Sequence, residues 1–270
     1  MDGQPKGVDS ETTALRILEK ARNFGASAAG IASVADLRRV PSYTVYRDDP
    51  YYKDYPGVEW PDEHRSVLVW ALPHPSSEPV LDWWNMKVPG HTPGNRVLVG
   101  QSEQLRLWLA EELGISAWSS PYTPKGAGFA FLKDAAVLAG LGVIGKHNLL
   151  ITPEFGTRVR LRAIFMDAEL RTTGPVSDYY PCDGCPMPCH RACPQSAFEG
   201  GLFQRARCKV EMDRNEAAAE VIEGSVMGID EATKTTKYCR NCELVCPVAA
   251  RTPGRIPSQS SLRDRGRDRD

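Results

Sequence analysis

Eight cysteines, all between Cys182 and Cys246, constrain this 270-residue chain more than any other feature. The first run is Cys182-x2-Cys185-x3-Cys189-x3-Cys193-Pro194. The second is Cys208, a gap of 30 residues, then Cys239-x2-Cys242-x3-Cys246-Pro247. Met1 to Thr13 is polar and lacks the apolar run of a signal peptide. Arg38-Arg39 is internal with no apolar stretch after it, so it is not a twin-arginine signal. The longest apolar run, Ala135 to Gly145, is too short to span a bilayer. The expectation is a cytoplasmic protein with no membrane partner. In that compartment thiols stay reduced, so clustered cysteines point to metal or redox chemistry and not to disulfides.

Both runs end in Cys-x3-Cys-Pro, the pattern of two-cluster bacterial ferredoxins. Close cysteines let one short loop place three thiolates around one cube. The fourth lies about one helical turn on and points toward a second cube. This predicts two [4Fe–4S] clusters, one held by Cys182, Cys185, Cys189 and Cys246, the other by Cys193, Cys208, Cys239 and Cys242. The second gap of the first run is x3 instead of the commoner x2, and carries Pro186 and Pro188. The alternative for the same residues is two structural zinc sites of four cysteines each, which Cys-x2-Cys pairs also suit.

Composition fits one large body with a small attached module: hydrophobic residues are 41% and charged residues 25%. A net charge of −1 supplies no global field toward nucleic acid. An RNA contact would need a local patch, such as Arg158, Arg160 and Arg162, or Arg205, Arg207 and Lys209. Residues 1–10 read as a loose tail, and Glu11 to Phe24 has helical periodicity ending at Gly25. Ala26 to Ser33 and Ser66 to Leu72 read as strands, and 41–62 as a long loop. Ser102 to Leu113 reads as an amphipathic helix capped by Ser102 and Gly114, and Lys133 to Leu141 as another helix. Thr157 to Asp167 sets Val159, Leu161 and Ile164 against Arg158, Arg160 and Arg162, a strand with one basic face. The divisions expected are an α/β body at 11–174, the cysteine module at 175–251 and a disordered tail at 252–270.

Gly140-Leu-Gly142-Val-Ile-Gly145 matches G-x-G-x-x-G. A dinucleotide fingerprint needs a strand before it and a long helix after it. Here a helical pattern precedes it, and Thr152-Pro153 soon follows. The better reading is a backbone turn in close approach to something, presenting Lys146, His147 and Asn148. The whole stretch from Ala139 through Lys146-His147-Asn148 to Thr152-Pro-Glu-Phe-Gly156, then a strand, then two ferredoxin-type cysteine runs, resembles the epoxyqueuosine reductases and the related reductive dehalogenases. The resemblance covers about residues 125–250. It implies an α+β fold, with a nitroreductase-like α/β body and a C-terminal two-cluster ferredoxin-like module. It also implies a base-off cobalamin fed with electrons by the clusters, with Gly142, Gly145, Lys146, His147, Asn148, Leu150, Thr152 and Leu161 along the corrinoid.

The chain departs from that pattern. The family's aspartate proton donor lies about one helix before the glycine segment, where this chain has Lys125-Gly126-Ala127-Gly128. The candidates are therefore Lys125 and Asp134, with Tyr122 behind them; a loop lysine and a first-turn helix acid are the plainer readings. Asp62-Glu63-His64 lacks the glycine of the Asp-x-His-x-x-Gly cobalt-ligand motif, so His64 is read as a surface residue. Trp60, Trp70, Trp83 and Trp84 are read as packing residues, with walling a flat cofactor as the alternative. The helical-repeat tail of longer epoxyqueuosine reductases is not present. The function implied is an oxidoreductase acting on a small molecule or tRNA, with a ferredoxin- or flavodoxin-type donor. The alternatives are an electron-transfer protein that reduces a partner, and a soluble reductive dehalogenase.

Overall fold

A computed structural model describes residues 9–40, 42, 60–122 and 128–250. Lys125, the tail at 252–270, residues 1–8 of the other tail and nearly all of the 41–62 loop lie outside the described residues.

The body is built on an antiparallel four-stranded sheet. At its centre is β2, Ser66–Pro73, whose continuous apolar run is buried at every residue. A strand reads that way when both faces of its sheet are covered. β1, Ala28–Ser33, pairs along one edge of β2 from Ala28↔Ala71 to Ser33↔Ser66. β6, Val159–Met166, pairs along the other from Ser66↔Met166 to Pro73↔Val159. β3, Ala117–Ser119, closes the far edge against β6, so the order is β1-β2-β6-β3.

Period-2 alternation then gives each face its own core. Leu68, Trp70, Leu72, Ile31 and Ile164 pack against helices α1, Ser10–Asn23, and α3, Pro93–Leu113. Val67, Val69, Ala71, Ala163 and Phe165 pack on the opposite side against α2, Val34–Leu37, and α4, Leu132–Leu138. Asp9 caps α1 by accepting from the Glu11 and Thr12 amides, so the helix begins inside the stretch expected to be a tail.

Three expectations are corrected. The cap of α3 is not Ser102 but Thr92, well before it, accepting from the Asn95 amide at 3.0 Å, and Pro93 opens the first turn. Gly94 and Gly100 interrupt the periodicity there and hide the start, while Ser102 is buried mid-helix with its hydroxyl 2.7 Å from that of Ser119. Gly114 does cap the C-terminus, in the left-handed conformation. The basic face of β6 is not exposed. Arg162 is buried, and Ile164 shares its side of the strand and joins the core beside Trp70. His64 is 4% exposed, not a surface residue; its ring stacks on Phe165 at 4.7 Å.

The glycine segment makes no βαβ unit. β4, Val143–Ile144, and β5, Leu150–Ile151, form a two-stranded hairpin right after α4. Its close approach is to the chain itself. A side chain at Gly142 would collide with the Ile151 carbonyl, and one at Gly140 with the Gly174 carbonyl.

The cysteine-bearing part is built from short pieces: α5, Pro188–Arg191; α6, Arg205–Ala217; a hairpin of β7, Glu220–Ile222, and β8, Thr233–Thr235; α7, Gly224–Met227, between them; and α8, Asn241–Leu244. It is docked through a Trp84–Thr236 bridge, by Asn85 donating to Thr235, and by Thr157 donating to the Glu243 carbonyl. Among the described residues no helix is long and apolar enough to cross a membrane.

Candidate metal centre and the adjoining cleft

None of the eight cysteines, all of them described, forms a disulfide. They gather into two sets drawn from both sequence runs. Cys182, Cys185, Cys189 and Cys246 line one small cavity with Lys146 and His147. α5 places Cys189 there, and the turn after α8 places Cys246. Burial raises the Cys189 thiol first, and the neighbouring sulfurs of Cys246 and Cys182 add to it. In the other set burial first, and then the charges of Cys239, Cys208, Glu243 and Cys193, push Cys242 up to about 12. Burial likewise raises Cys208, followed by Cys193 and Cys239. Thiols held this high are protonated at neutral pH, so binding iron must expel their protons. No three His, Cys, Asp or Glu side chains among the described residues are arranged around a single ion.

Beside the second set opens a cleft of about 430 Å³. One wall is apolar, from Leu132, Leu149, Leu150, Val159 and Leu161; Lys133, Tyr122, Thr92 and Asn95 supply polar groups, and Cys239 and Tyr238 face it from the module. A second cavity of about 950 Å³ shares Trp84 and Tyr238 with it and is bordered by Arg205, Lys209, Lys87 and Lys234.

At the edge of the cleft lies a closed ring of charge. Arg160 reaches Asp82 through Nε at 2.8 Å and grips Glu243 with both terminal nitrogens, at 3.2 and 3.0 Å. Arg240 pairs with Asp82 and bonds Glu243 at 2.6 Å, completing the circuit. His74 stands behind, its Nδ1 2.8 Å from Asp82. Burial acts to raise the Asp82 carboxyl, but the His74 hydrogen bond and the two arginines outweigh it and hold the group below its usual range. Burial keeps His74 neutral against the pull of Asp82. Two positive and two negative charges cancel inside the ring, so it can be buried. Asp82 and Arg160 belong to the body and Arg240 and Glu243 to the cysteine module, so the ring joins the two.

The structure divides the residues predicted along a corrinoid. Leu150 and Leu161 line the cleft, and Asn148, at φ 61, contributes its carbonyl to the Lys133 ammonium at 2.6 Å. Lys146 and His147 instead line the first cysteine cavity, and Gly145 lies against the His147 ring. Gly142 and Thr152 are spent on the hairpin: Thr152 is buried, its hydroxyl donating to the Gly156 carbonyl. Asp134 accepts from Ser42 at 2.6 Å in the first turn of α4 and lines neither cavity. Lys125 lies outside the described residues.

Lys133, adjacent to Asp134, was not among the sequence candidates; it lines the cleft, and burial lowers its ammonium from the usual lysine range. Helical phase does not separate it from Asp134, since both precede Ala135 and Ala136, the buried positions of α4. Tyr122 also lines the cleft, and the Arg162 guanidinium lies over its ring at 4.5 Å. Partial burial raises the Tyr122 phenol. Trp84 lines both cavities, whereas Trp70 is core, its indole donating to Gln101 at 2.9 Å.

No family model matches the chain. A curated epoxyqueuosine reductase of Cellulophaga algicola is 30% identical over 147 residues, 51% of this chain and 44% of that protein. The chain thus spans less than half the length of that relative. The epoxyqueuosine reductase of Gloeobacter violaceus is 27% identical over 266 residues, covering 88% of this chain and 77% of the relative. A solved structure of an epoxyqueuosine reductase with an epoxyqueuosine-modified tRNA-Tyr stem loop superposes with a TM-score of 0.60 at 18% identity, over 91% of this chain and 68% of that one. The chain is thus similar to epoxyqueuosine reductases in sequence and shares the fold of a solved one.

Proposed function

We propose that the chain is an iron–sulfur, cobalamin-dependent reductase of the epoxyqueuosine reductase type, built on a nitroreductase-like body. The observation that carries this reading is the position of Cys239, which belongs to the second cysteine set and lines the same cleft as Leu150 and Leu161. The residues present fit both kinds of cofactor. Two sets of four thiols suit two [4Fe–4S] clusters, and an apolar wall with polar groups beside it suits a flat macrocycle with an amide-bearing rim. When bound, such groups supply one-electron transfer and a strongly reducing metal.

The chain's own residues do the rest. The Leu150–Leu161 wall binds the macrocycle and excludes water. Lys133, anchored on the Asn148 carbonyl, holds an exchangeable proton at the cleft, and its lowered affinity for that proton suits it to donation. Tyr122 orients beside it. The substrate proposed is an epoxide-bearing base in tRNA or a small molecule of like chemistry, because a similar protein was solved with such a stem loop. Arg205, Lys209, Lys87 and Lys234 around the larger cavity are the groups for phosphate contact. The electron donor is of ferredoxin or flavodoxin type, and the location cytoplasmic.

The test is anaerobic purification with added cobalamin, followed by a turnover assay on an epoxyqueuosine-containing stem loop. Lys133→Met should retain iron and corrinoid while losing about a hundredfold or more in kcat. Full turnover in that variant would remove Lys133 from the role.

A further inference from the structure

His147 is 3% exposed, and its two ring nitrogens have different fates. The Leu149 amide donates to Nδ1 at 3.3 Å. Nδ1 is therefore the acceptor, and the neutral ring carries its proton on Nε2. That Nε2 is buried and has no hydrogen-bond partner. A buried N–H without an acceptor is costly, so its acceptor should be a group that the site is built to hold. His147 lines the cavity formed by Cys182, Cys185, Cys189 and Cys246. The ring is also held in place. A side chain at Gly145 would come within 2.6 Å of Ile151 Cδ1, 2.7 Å of His147 Cε1 and 3.0 Å of its Nδ1, so a methyl group there would crowd the imidazole.

We infer that His147 is a positioning residue for the first cluster, donating its Nε2–H to a sulfur of the group held by Cys182, Cys185, Cys189 and Cys246. The inference rests on the two-cluster reading above. Reduction adds a negative charge to a cluster, so a donor stabilises the reduced form more than the oxidised one. Hydrogen bonds to the sulfurs are among the levers that set cluster potentials. His147 thus raises the potential of this one cluster relative to the same cluster without it.

The experiment is a dye-mediated redox titration of the anaerobically prepared full chain, followed by electron paramagnetic resonance. Iron and acid-labile sulfide are first measured in the same samples. In His147→Leu one of the two midpoints should move to a more negative value while the other stays. His147→Gln, which keeps an N–H donor, should fall between Leu and the parent. Gly145→Ala should reproduce the Leu shift by displacing the ring. Two clusters with midpoints unchanged in both His147→Leu and Gly145→Ala would overturn the role of His147 and leave the cluster reading intact. A parent protein that binds no iron would overturn the cluster reading itself. If His147→Leu loses one cluster, the comparison passes to the other two variants. A midpoint lower in Gly145→Ala than in His147→Gln supports the inference, and equal midpoints reject it.

Discussion

At the scale of single residues, spacing made the eight thiols legible, because local runs place ligands on short loops. Pairings between distant segments were not. Asp82 and Glu243 are ordinary acids in the sequence, and nothing local shows that they meet the same two arginines. His64 was misread for the same reason. Its neighbours Asp62, Glu63 and Arg65 are polar, yet β2 begins at Ser66 and carries the ring in against Phe165 and Trp118. Burial lowers His64 below its ordinary value of 6.5. The unfolded chain therefore takes up the proton first. The stability of the neutral buried ring is fully present above pH 6.5 and declines as pH falls below it. His64→Phe should flatten that decline in thermal unfolding curves measured from pH 7 down to pH 5. A decline as steep as the parent's would show that His64 does not titrate on unfolding. Lys133 was missed by one position, because periodicity alone does not say which of two adjacent first-turn residues, Lys133 or Asp134, faces a cleft.

At the scale of elements, β1, β2, β6 and α1 were legible from their apolar runs and periods, whereas the short strands β3, β4, β5, β7 and β8 and the start of α3 were not. Thr92-Pro93 is an ordinary helix start, but Gly94 two positions on breaks the pattern for a reason found elsewhere in the fold. A side chain at Gly94 would collide with the His74 ring, which backs Asp82 in the charge ring. Gly30 in β1 has a comparable constraint, since a methyl group there would collide with the Ala139 carbonyl and crowd Leu141. Gly30→Ala should lower stability by about 1–3 kcal/mol, read as a drop in the denaturant midpoint with an unchanged slope. The charge ring makes a larger demand. Asp82→Asn leaves Arg160 and Arg240 with Glu243 alone, in a site where Arg240 and Glu243 are 12% and 6% exposed. Breaking a buried ionic network in this way costs about 3–5 kcal/mol. The expected readout is earlier thermal unfolding and faster proteolysis between the body and the cysteine module. Unchanged proteolysis would mean that the Trp84–Thr236 and Asn85–Thr235 contacts suffice to hold the module.

At the scale of the whole molecule, neither cysteine run completes a set. Cys246, from the second run, lines the cavity of Cys182, Cys185 and Cys189, and the sulfur of Cys193, from the first, acts on Cys208, Cys239 and Cys242. Each set therefore depends on the fold of the entire C-terminal part, and the charge ring ties that part to the wall that carries Leu150 and Leu161. The sequence motif around Gly140 to Gly156 pointed to one corrinoid-contacting surface. The structure distributes it over the cleft, the hairpin interior and the first cysteine cavity, because a two-stranded hairpin turns successive residues to opposite sides. If the proposed function holds, two clusters and a corrinoid coexist in this chain. Electron paramagnetic resonance on protein purified anaerobically with cobalamin, alongside metal analysis, decides this. The expected result is about eight irons and one cobalt per chain, a base-off cobalt(II) signal, and two cluster signals on reduction. Stoichiometric zinc without iron, or iron with no retained cobalt, would contradict it.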